Sequence, residues 1–347
     1  MEETIFLRKY RLFFFWGVVL NNLTAVKLLS ISAVRETEGG IFYIGNDRNM
    51  IDFKPISLAD REVITSFTLA GDSRDCDFSF ANLCSWHFLY DSEYAVVGDM
   101  LLIRCRWGEH RPVYMPPLGT GDMAAAVRLL ERQARTSGHE LCLVGVSPEL
   151  VTDLERLFPG RFVFTPERDY FDYIYERTDL ITLSGKKYQA KRNHINRFRQ
   201  EYPDCRYKPL TSDMIPQCLA LDMQWCISTG RSEDSDLLNE RHSMTFALEH
   251  MDELGIRGGV LCIGDDIEAF TFGSPVTADT FGVHVEKANT RIEGIYAVVN
   301  REFVRHIPEN YRYINREEDL GIPGLRKAKL SYHPTILLEK NMAVWKG

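Results

Sequence analysis

The feature that most constrains this 347-residue chain is an order of elements that occurs twice. From Met50 the pattern predicts a strand, a helix over 58–69, and a second helical stretch over 77–86. Three short strands follow at 94–98, 100–106 and 111–115. Pro116-Pro117-Leu118-Gly119 then breaks the sheet pattern. Next come a helix over 122–136 stopped by Gly138, a strand at 141–146, a helix opened by Ser147-Pro148, and a strand at 162–165. Gly past a helix end and Pro at its first position are the usual punctuation. The second pass gives a strand at 205–210, helices over 212–227 and 235–254, and strands at 259–263, 267–273 and 280–286. It ends with a helix over 294–306, a strand at 311–315, a helix over 323–330 and a strand at 335–339. Gly264-Asp265-Asp266 marks a hairpin turn. Strands joined partly by hairpins and partly by crossover helices require a mixed sheet, not a doubly wound parallel one. The chain is therefore read as α/β with a duplicated unit, divided near 169–202.

Chemistry-bearing residues concentrate between Phe281 and Tyr332. Arg291-Ile292-Glu293-Gly294 opens a helix just after a strand. Free N–H groups and the positive end of the helix dipole there suit a phosphate or carboxylate. An ordinary turn and cap is the alternative. No G-x-G-x-x-G follows a strand, and there is no Walker lysine loop.

Composition sets outer limits. The chain is 45% apolar and 26% charged, an ordinary globular balance. A net charge of −8 argues against nucleic-acid binding over the whole surface but not against a local basic patch. The eight cysteines show no C-x-x-C pair and no Cys/His ligand spacing. They are read as reduced, buried thiols of a cytoplasmic protein, with no zinc site expected and no metal ligands assigned. Residues 12–20 form an apolar run behind Arg8, Lys9 and Arg11 that mimics a signal peptide, yet it is too short to span a bilayer. Residues 1–49 are read as an upstream extension from an early assigned start, with a membrane-surface anchor as the alternative. No transmembrane segment is expected.

Residues 183–199 hold six cations and no acid. Tyr188, Ile195, Phe198 and Tyr202 share one arc of a helix. Lys187 lies at the edge of that arc and Lys191 inside it. A lysine on a packing face must snorkel out or meet an anion. Either this is a solvated basic helix beside an acidic neighbour, or it is an anion site for a nucleotide or nucleic acid.

Three motifs carry a family resemblance: S-G-K-K-Y-x-x-K-R-N-x-I-N-x-F at 184–198, H-x-E-K-A at 284–288, and N-R-E-E-D-L-G-I-P-G-L-R-x-A-K-L-S-Y-x-P at 315–334. Together they resemble the DUF2156 family, relatives of the C-terminal domain of phosphatidylglycerol lysyltransferases, from Met50 to the end. The resemblance implies tandem GNAT (acyl-CoA N-acyltransferase-like) folds. These would be a first domain over 50–180, a basic linker helix over 181–204, and a second domain over 205–347 that carries the candidate site. It also implies similarity to peptidyltransferases that use aminoacyl-tRNA as donor. Arg291 and Gly294 match two positions of the GNAT pyrophosphate loop, while Tyr296 departs at the third and would crowd a pyrophosphate. Gly324-Leu325 with Lys329 matches a segment placed at the transfer centre of the lysyltransferases. The membrane flippase half of those enzymes has no counterpart in these motifs, so a lipid acceptor is not implied.

The chemistry suggested is aminolysis of an activated acyl group. Arg326 and Lys329, at i and i+3, are candidates to face a developing negative charge. Glu317 and Asp319 are candidates to hold an ammonium or act as a base, since alternate residues of an extended segment point the same way. Glu286 is a second base candidate, with His284 on the same strand face. Lys187, Lys191, Arg192, Arg291 and Gly294 are the expected donor and anion contacts. Surface ion pairs between an acidic loop and a basic helix would explain the charges without function. The favoured reading is an aminoacyl transferase with an aminoacyl-tRNA donor. The alternatives are an acyl-CoA-dependent N-acetyltransferase and a noncatalytic nucleic-acid or nucleotide-binding protein on the same scaffold.

Overall fold

The computed structural model describes residues 50–108, 111–228 and 235–347. The expectations for residues 1–49 lie outside the described residues. Among those described, no helix is long and apolar enough to cross a membrane.

The chain builds two mixed sheets. The first half supplies β1 (Lys54–Pro55), α1 (Arg61–Thr68), α2 (Phe80–Ser85), α3 (His87–Tyr90), β2 (Glu93–Val97), β3 (Met100–Trp107), β4 (Arg111–Tyr114) and β5 (Leu118–Gly119). It continues with α4 (Met123–Thr136), β6 (Cys142–Val146), α5 (Pro148–Leu157), β7 (Phe162–Pro166) and β8 (Asp172–Glu176). Helices α6 (Arg177–Thr182) and α7 (Gln189–Glu201) lead into the second half. That half holds β9 (Arg206–Pro209), α8 (Ile215–Ser228), α9 (Ser235–Glu249), α10 (Met251–Leu254), β10 (Arg257–Ile263), β11 (Asp266–Pro275) and β12 (Thr280–Ala288). Then come α11 (Ile295–His306), β13 (Tyr313–Asn315), α12 (Pro323–Leu330), β14 (Ile336–Leu338) and β15 (Asn341–Trp345).

Local signals explain many of these boundaries. Ser57 and Asp60 form a reciprocal capping box, with the Ser57 N–H and hydroxyl donating to the Asp60 carboxylate at 2.9 and 2.7 Å. Ser147 caps α5 by accepting from the Leu150 N–H at 3.3 Å, with Pro148 at the first position. Gly264 takes φ +60 in the two-residue link between Ile263 and its partner Asp266.

The first sheet runs β1-β2-β3-β4-β6-β15-β7, and the second runs β14-β8-β13-β12-β11-β10-β9. Each has one parallel junction: β4 with β6, and β12 with β13. The two orders are the same when each half is counted from its own first long strand, except at one place. There each sheet contains a strand from the other half. β8 pairs with β13 and β14 in the second sheet, and β15 pairs with β6 and β7 in the first. This is a pair of GNAT-like units that exchange a strand. The motif pattern predicts neither β8 nor β15 as a strand.

One apolar core joins the halves. Ile64, Phe78, Leu101 and Ile103 pack in the same cluster as Leu210, Met244, Leu248, Phe270 and Phe272. A second cluster lies under α6, α7 and α11 around Tyr188, Phe198, Phe281 and Val299. A third joins α4 and α5 to the first sheet around Leu130, Leu143 and Leu154. Each buried side chain of this size contributes about 1.5–3 kcal/mol. The shared core and the exchanged strands fix the walls of a cavity between the two sheets.

Candidate functional site

A cavity of about 1310 Å³ opens where the halves meet. In the second sheet, β12 and β13 stay paired only over Thr280–Gly282 and Tyr313–Asn315. Beyond that the chains diverge, and the gap is filled by charged side chains. The Arg316 guanidinium reaches across it to Glu286 at 3.1 Å. Asn300 on α11 donates to the other Glu286 oxygen at 3.3 Å.

The loop after β13 is held from several sides. Asn315 donates to the Arg74 carbonyl at 2.7 Å and to Asp172 at 2.8 Å, and accepts from the Glu317 N–H at 2.7 Å. Glu317 sits at φ +56 and Leu320 at φ +52. A non-glycine residue in that region costs of order 1–3 kcal/mol and persists only where its surroundings fix it. The loop is therefore not extended, and the alternation expected for Glu317 and Asp319 does not apply. The two carboxylates have different surroundings.

Glu317 lines the cavity. One of its oxygens contacts His284 Nδ1 at 2.8 Å and accepts from Asn82 of the first half at 3.1 Å. His284 Nε2 lies 2.7 Å from the Ser274 hydroxyl. Burial acts to raise the Glu317 carboxyl, but His284, Asn82 and Lys329 outweigh it and hold it below the usual range. It is an ionised carboxylate in a confined site. Ser274 is buried behind His284 and does not line the cavity.

Asp319 is fully buried and is not among the cavity-lining residues. It accepts two bonds from Arg326, at 2.7 and 2.8 Å, one from Arg168 at 2.9 Å, and one from the Tyr173 hydroxyl at 2.5 Å. Arg326 also binds Asp169 at 2.8 Å. These bonds tie α12 to the segment between the halves. The Lys329 ammonium donates to the Arg316 carbonyl at 2.6 Å and to the Glu318 carbonyl. Burial pushes its pKa down, partly offset by Glu318 and Glu317. Arg326 and Lys329 thus both grip the acidic loop from one helix face.

The expected anion contacts separate. Lys191 and Gly294 line the cavity. The Lys191 ammonium lies 4.0 Å from the centre of the Tyr332 ring, with Arg316 over the same ring at 5.0 Å. Among the described residues no carboxylate pairs with Lys191. Burial and the neighbouring Arg316, opposed by Glu286, bring its pKa down to about 8. Lys187 pairs with Asp179 at 3.3 Å. Arg192 donates to the carbonyls of Leu183 and Gly185, closing the end of α6. The Arg291 side chain is exposed and does not line the cavity. Gly294 takes φ +84, and a Cβ there would come within 2.9 Å of the His194 carbonyl, so α7 crosses the start of α11 at backbone distance. Tyr296 stands beside it in the cavity wall, 38% exposed.

The residue pattern alone did not single out several wall residues. Lys340 lies between Asp75 (2.6 Å), Asp172 (3.0 Å) and Asp77 (3.0 Å), occupying the position a cation would take among Asp75, Cys76 and Asp172. Burial opposes its charge, but the three carboxylates push its pKa well up. Asn82 and Glu167 come from the first half. Asn82 is the partly buried hydrogen-bond partner that its D-F-S-F-A-N segment suggests, whereas no local motif marks Lys340 or Glu167.

The fold is that of a tandem GNAT-like domain. The chain belongs to the family described as phosphatidylglycerol lysyltransferase, C-terminal, whose model matches residues 70–344. A solved protein of unknown function from Bacteroides thetaiotaomicron is 53% identical, with a TM-score of 0.84, covering 86% of this chain and all of that one. The C-terminal DUF2156 domain of a protein assigned as a lysylphosphatidylglycerol synthetase from Agrobacterium fabrum shares the fold at 16% identity. Its TM-score is 0.61, over 84% of this chain and 93% of that one. L-PGS from Bacillus licheniformis does so at 15% identity and a TM-score of 0.57, over 83% and 92%. An uncharacterized protein of Mycoplasmoides gallisepticum is 23% identical over 171 residues. That match covers 49% of this chain and 54% of the relative, so the chain spans about half the length of this curated relative.

Proposed function

We propose that this protein transfers an aminoacyl group from an aminoacyl-tRNA to a nucleophilic acceptor. The observation that carries the reading is the pairing, in one cavity, of an ionised carboxylate (Glu317) with a lysine that has no carboxylate partner (Lys191). An aminoacyl-tRNA end presents complementary groups, an α-ammonium and phosphates. Glu317 would hold the ammonium or take a proton during attack, with His284 and Asn82 fixing its carboxylate. Lys191 would meet a phosphate. Lys329 acts as a positioning residue through the two carbonyls it binds, and Arg326 with Asp319 braces the same loop. Pockets for one small ligand run about 300–1,000 Å³. The cavity exceeds that range and has room for donor and acceptor together.

The test is transfer of a labelled amino acid from charged tRNA to a panel of amines and to phosphatidylglycerol. Glu317→Gln is expected to lower turnover by about 10²–10⁴-fold, with charged tRNA still bound and the thermal transition retained. Wild-type turnover equal to that of Glu317→Gln would sink the reading. The acyl-CoA alternative keeps Gly294 at the cavity in its favour, while Arg291, exposed outside the cavity, and Tyr296 in the wall oppose it. Saturable calorimetric binding of acetyl-CoA, with acetyl transfer and no aminoacyl transfer, would replace the proposal with that one. Binding of tRNA with no transfer of either kind would favour a noncatalytic role.

A further inference from the structure

The first-half end of the cavity is not used by the roles assigned above. Trp107, at the end of β3, meets Tyr170 edge-on with ring centroids 6.2 Å apart. The Tyr170 N–H donates to the Glu167 carbonyl at 2.9 Å, and the Glu167 N–H donates to the Lys340 carbonyl at 2.9 Å. The Lys340 ammonium reaches Asp77 at 3.0 Å. All five residues line the cavity. Among the described residues the Glu167 carboxyl has no hydrogen bond or ion pair. A second, independent observation lies in the same wall. Asp75 is 2% exposed, and its Oδ2 has no partner. Gly145 leaves the space beside that oxygen open, where a Cβ would come within 2.9 Å. The cations at this end are already partnered: Lys340 is shared among three carboxylates, and Arg106 lies 3.6 Å from Asp91. The wall therefore sets more carboxyl groups than cations beside aromatic rings, with burial pushing the Asp75 pKa well up. Ring faces and carboxylates are the two kinds of group that hold an alkylammonium.

We propose that this end of the cavity is the acceptor subsite and that it takes a primary amine, bound as its ammonium by Glu167 against Trp107 and Tyr170. Its role as acceptor rests on the aminoacyl-transfer reading; its affinity for amines does not. Glu167 takes one proton from the ammonium. The freed nitrogen lone pair attacks the carbonyl carbon of the aminoacyl ester, the C–N bond forms, and the C–O bond to the ribose breaks. The second nitrogen proton passes to the departing ribose oxygen, leaving an amide and a free terminal hydroxyl. Burial, opposed by Lys340 and reinforced by Asp77, pushes the Glu167 carboxyl up to about 7, which suits a proton acceptor near neutrality.

The experiment is calorimetric titration of the full chain with n-butylamine and 1,5-diaminopentane at pH 8, with n-butanol as the uncharged control. Saturable binding of the amines and none of the alcohol is expected. Glu167→Gln should weaken amine binding by about tenfold or more, and Trp107→Ala should weaken it as well, with thermal melting confirming that both variants fold. Lowering the pH from 8 to 6 should weaken wild-type binding by about tenfold as Glu167 takes up a proton, with Lys340 and Asp77 the charged groups facing it. Absence of amine binding, or equal binding by wild type and Glu167→Gln, overturns the proposal. Amine binding without transfer from charged tRNA would sustain the subsite and defeat the transfer reading. Transfer to a hydroxyl acceptor without amine binding would do the reverse.

Discussion

The two halves repeat one topology and differ in what they place at its opening. In the first half the parallel junction is a single register pair, Tyr114 with Leu143, and its surroundings are Val113, Met115 and Val144. In the second, the strands part into a gap held by Arg316, Glu286, His284 and Glu317. The helices that follow differ in the same sense. Asp122 caps α4 with its own carboxylate, accepting from the Ala125 N–H at 3.0 Å. Gly294 begins α11 with no side-chain cap. The first half thus satisfies its helix start internally, and the second leaves that start facing the cavity. The scaffold is repeated while the charged groups at the strand opening belong to the second copy, with the first supplying walls, contacts such as Asn82 and the proposed amine end at Glu167.

The largest effect expected of any change concerns what ties the halves together. Asp172 begins β8, Lys340 immediately precedes β15, and the two bind at 3.0 Å, so one buried ion pair bridges both exchanged strands. Lys340→Met removes the cation and leaves buried carboxylates uncompensated. Breaking a buried pair from one side costs about 3–5 kcal/mol. Urea denaturation is expected to show a loss of that size in one transition. A loss under about 1 kcal/mol would mean that the exchange is held by backbone pairing and the shared core alone.

The helix starts allow a direct comparison of smaller size. Gly294→Ala places a Cβ against the His194 carbonyl at positive φ, with an expected cost of about 1–3 kcal/mol. Asp122→Ala in the first half removes an ordinary cap, worth about 1 kcal/mol. Thermal melting orders the two. If Asp122→Ala were the more damaging, the close approach of α7 to α11 would not be a constraint on the second half.

Much of the scaffold was legible because its signals are local. Pro323 opens α12, Ser147 caps α5, and Gly264 sits at the hairpin. Lys191 could be singled out because a cation inside an apolar arc needs a reason. The exchanged strands could not be assigned in the same way. Asp172–Glu176 and Asn341–Trp345 are short, and their partners lie more than a hundred residues away, so no turn residue announces the pairing. The loop at 315–321 departs from simple alternation for a related reason. Its shape is set by Asn315, by the Tyr173 backbone and by the ammonium of Lys329, so alternation along the sequence says nothing about where Glu317 and Asp319 point. Glu167 stayed invisible because its significance lies in a partner it lacks.

The smallest effect separates an anion contact from a buried passenger. Lys191 lies against Tyr332, and charge on its amine is opposed by burial and by Arg316 and favoured by Glu286. With its pKa down to about 8, the ammonium is present below that pH and is lost as the pH rises through it. Binding of charged tRNA should therefore be strongest below pH 8 and weaken above it. Lys191→Met should abolish that part of the pH dependence and flatten the slope of log affinity against log salt by about 0.7–0.9, the value of one phosphate contact. Lys187→Met offers the contrast on the same helical segment, since Lys187 is exposed and paired with Asp179 outside the cavity. It should leave the pH dependence in place. Equal effects from the two substitutions would show that the basic segment attracts tRNA through its overall field, and that the second half draws no specific anion contact from the helix joining it to the first.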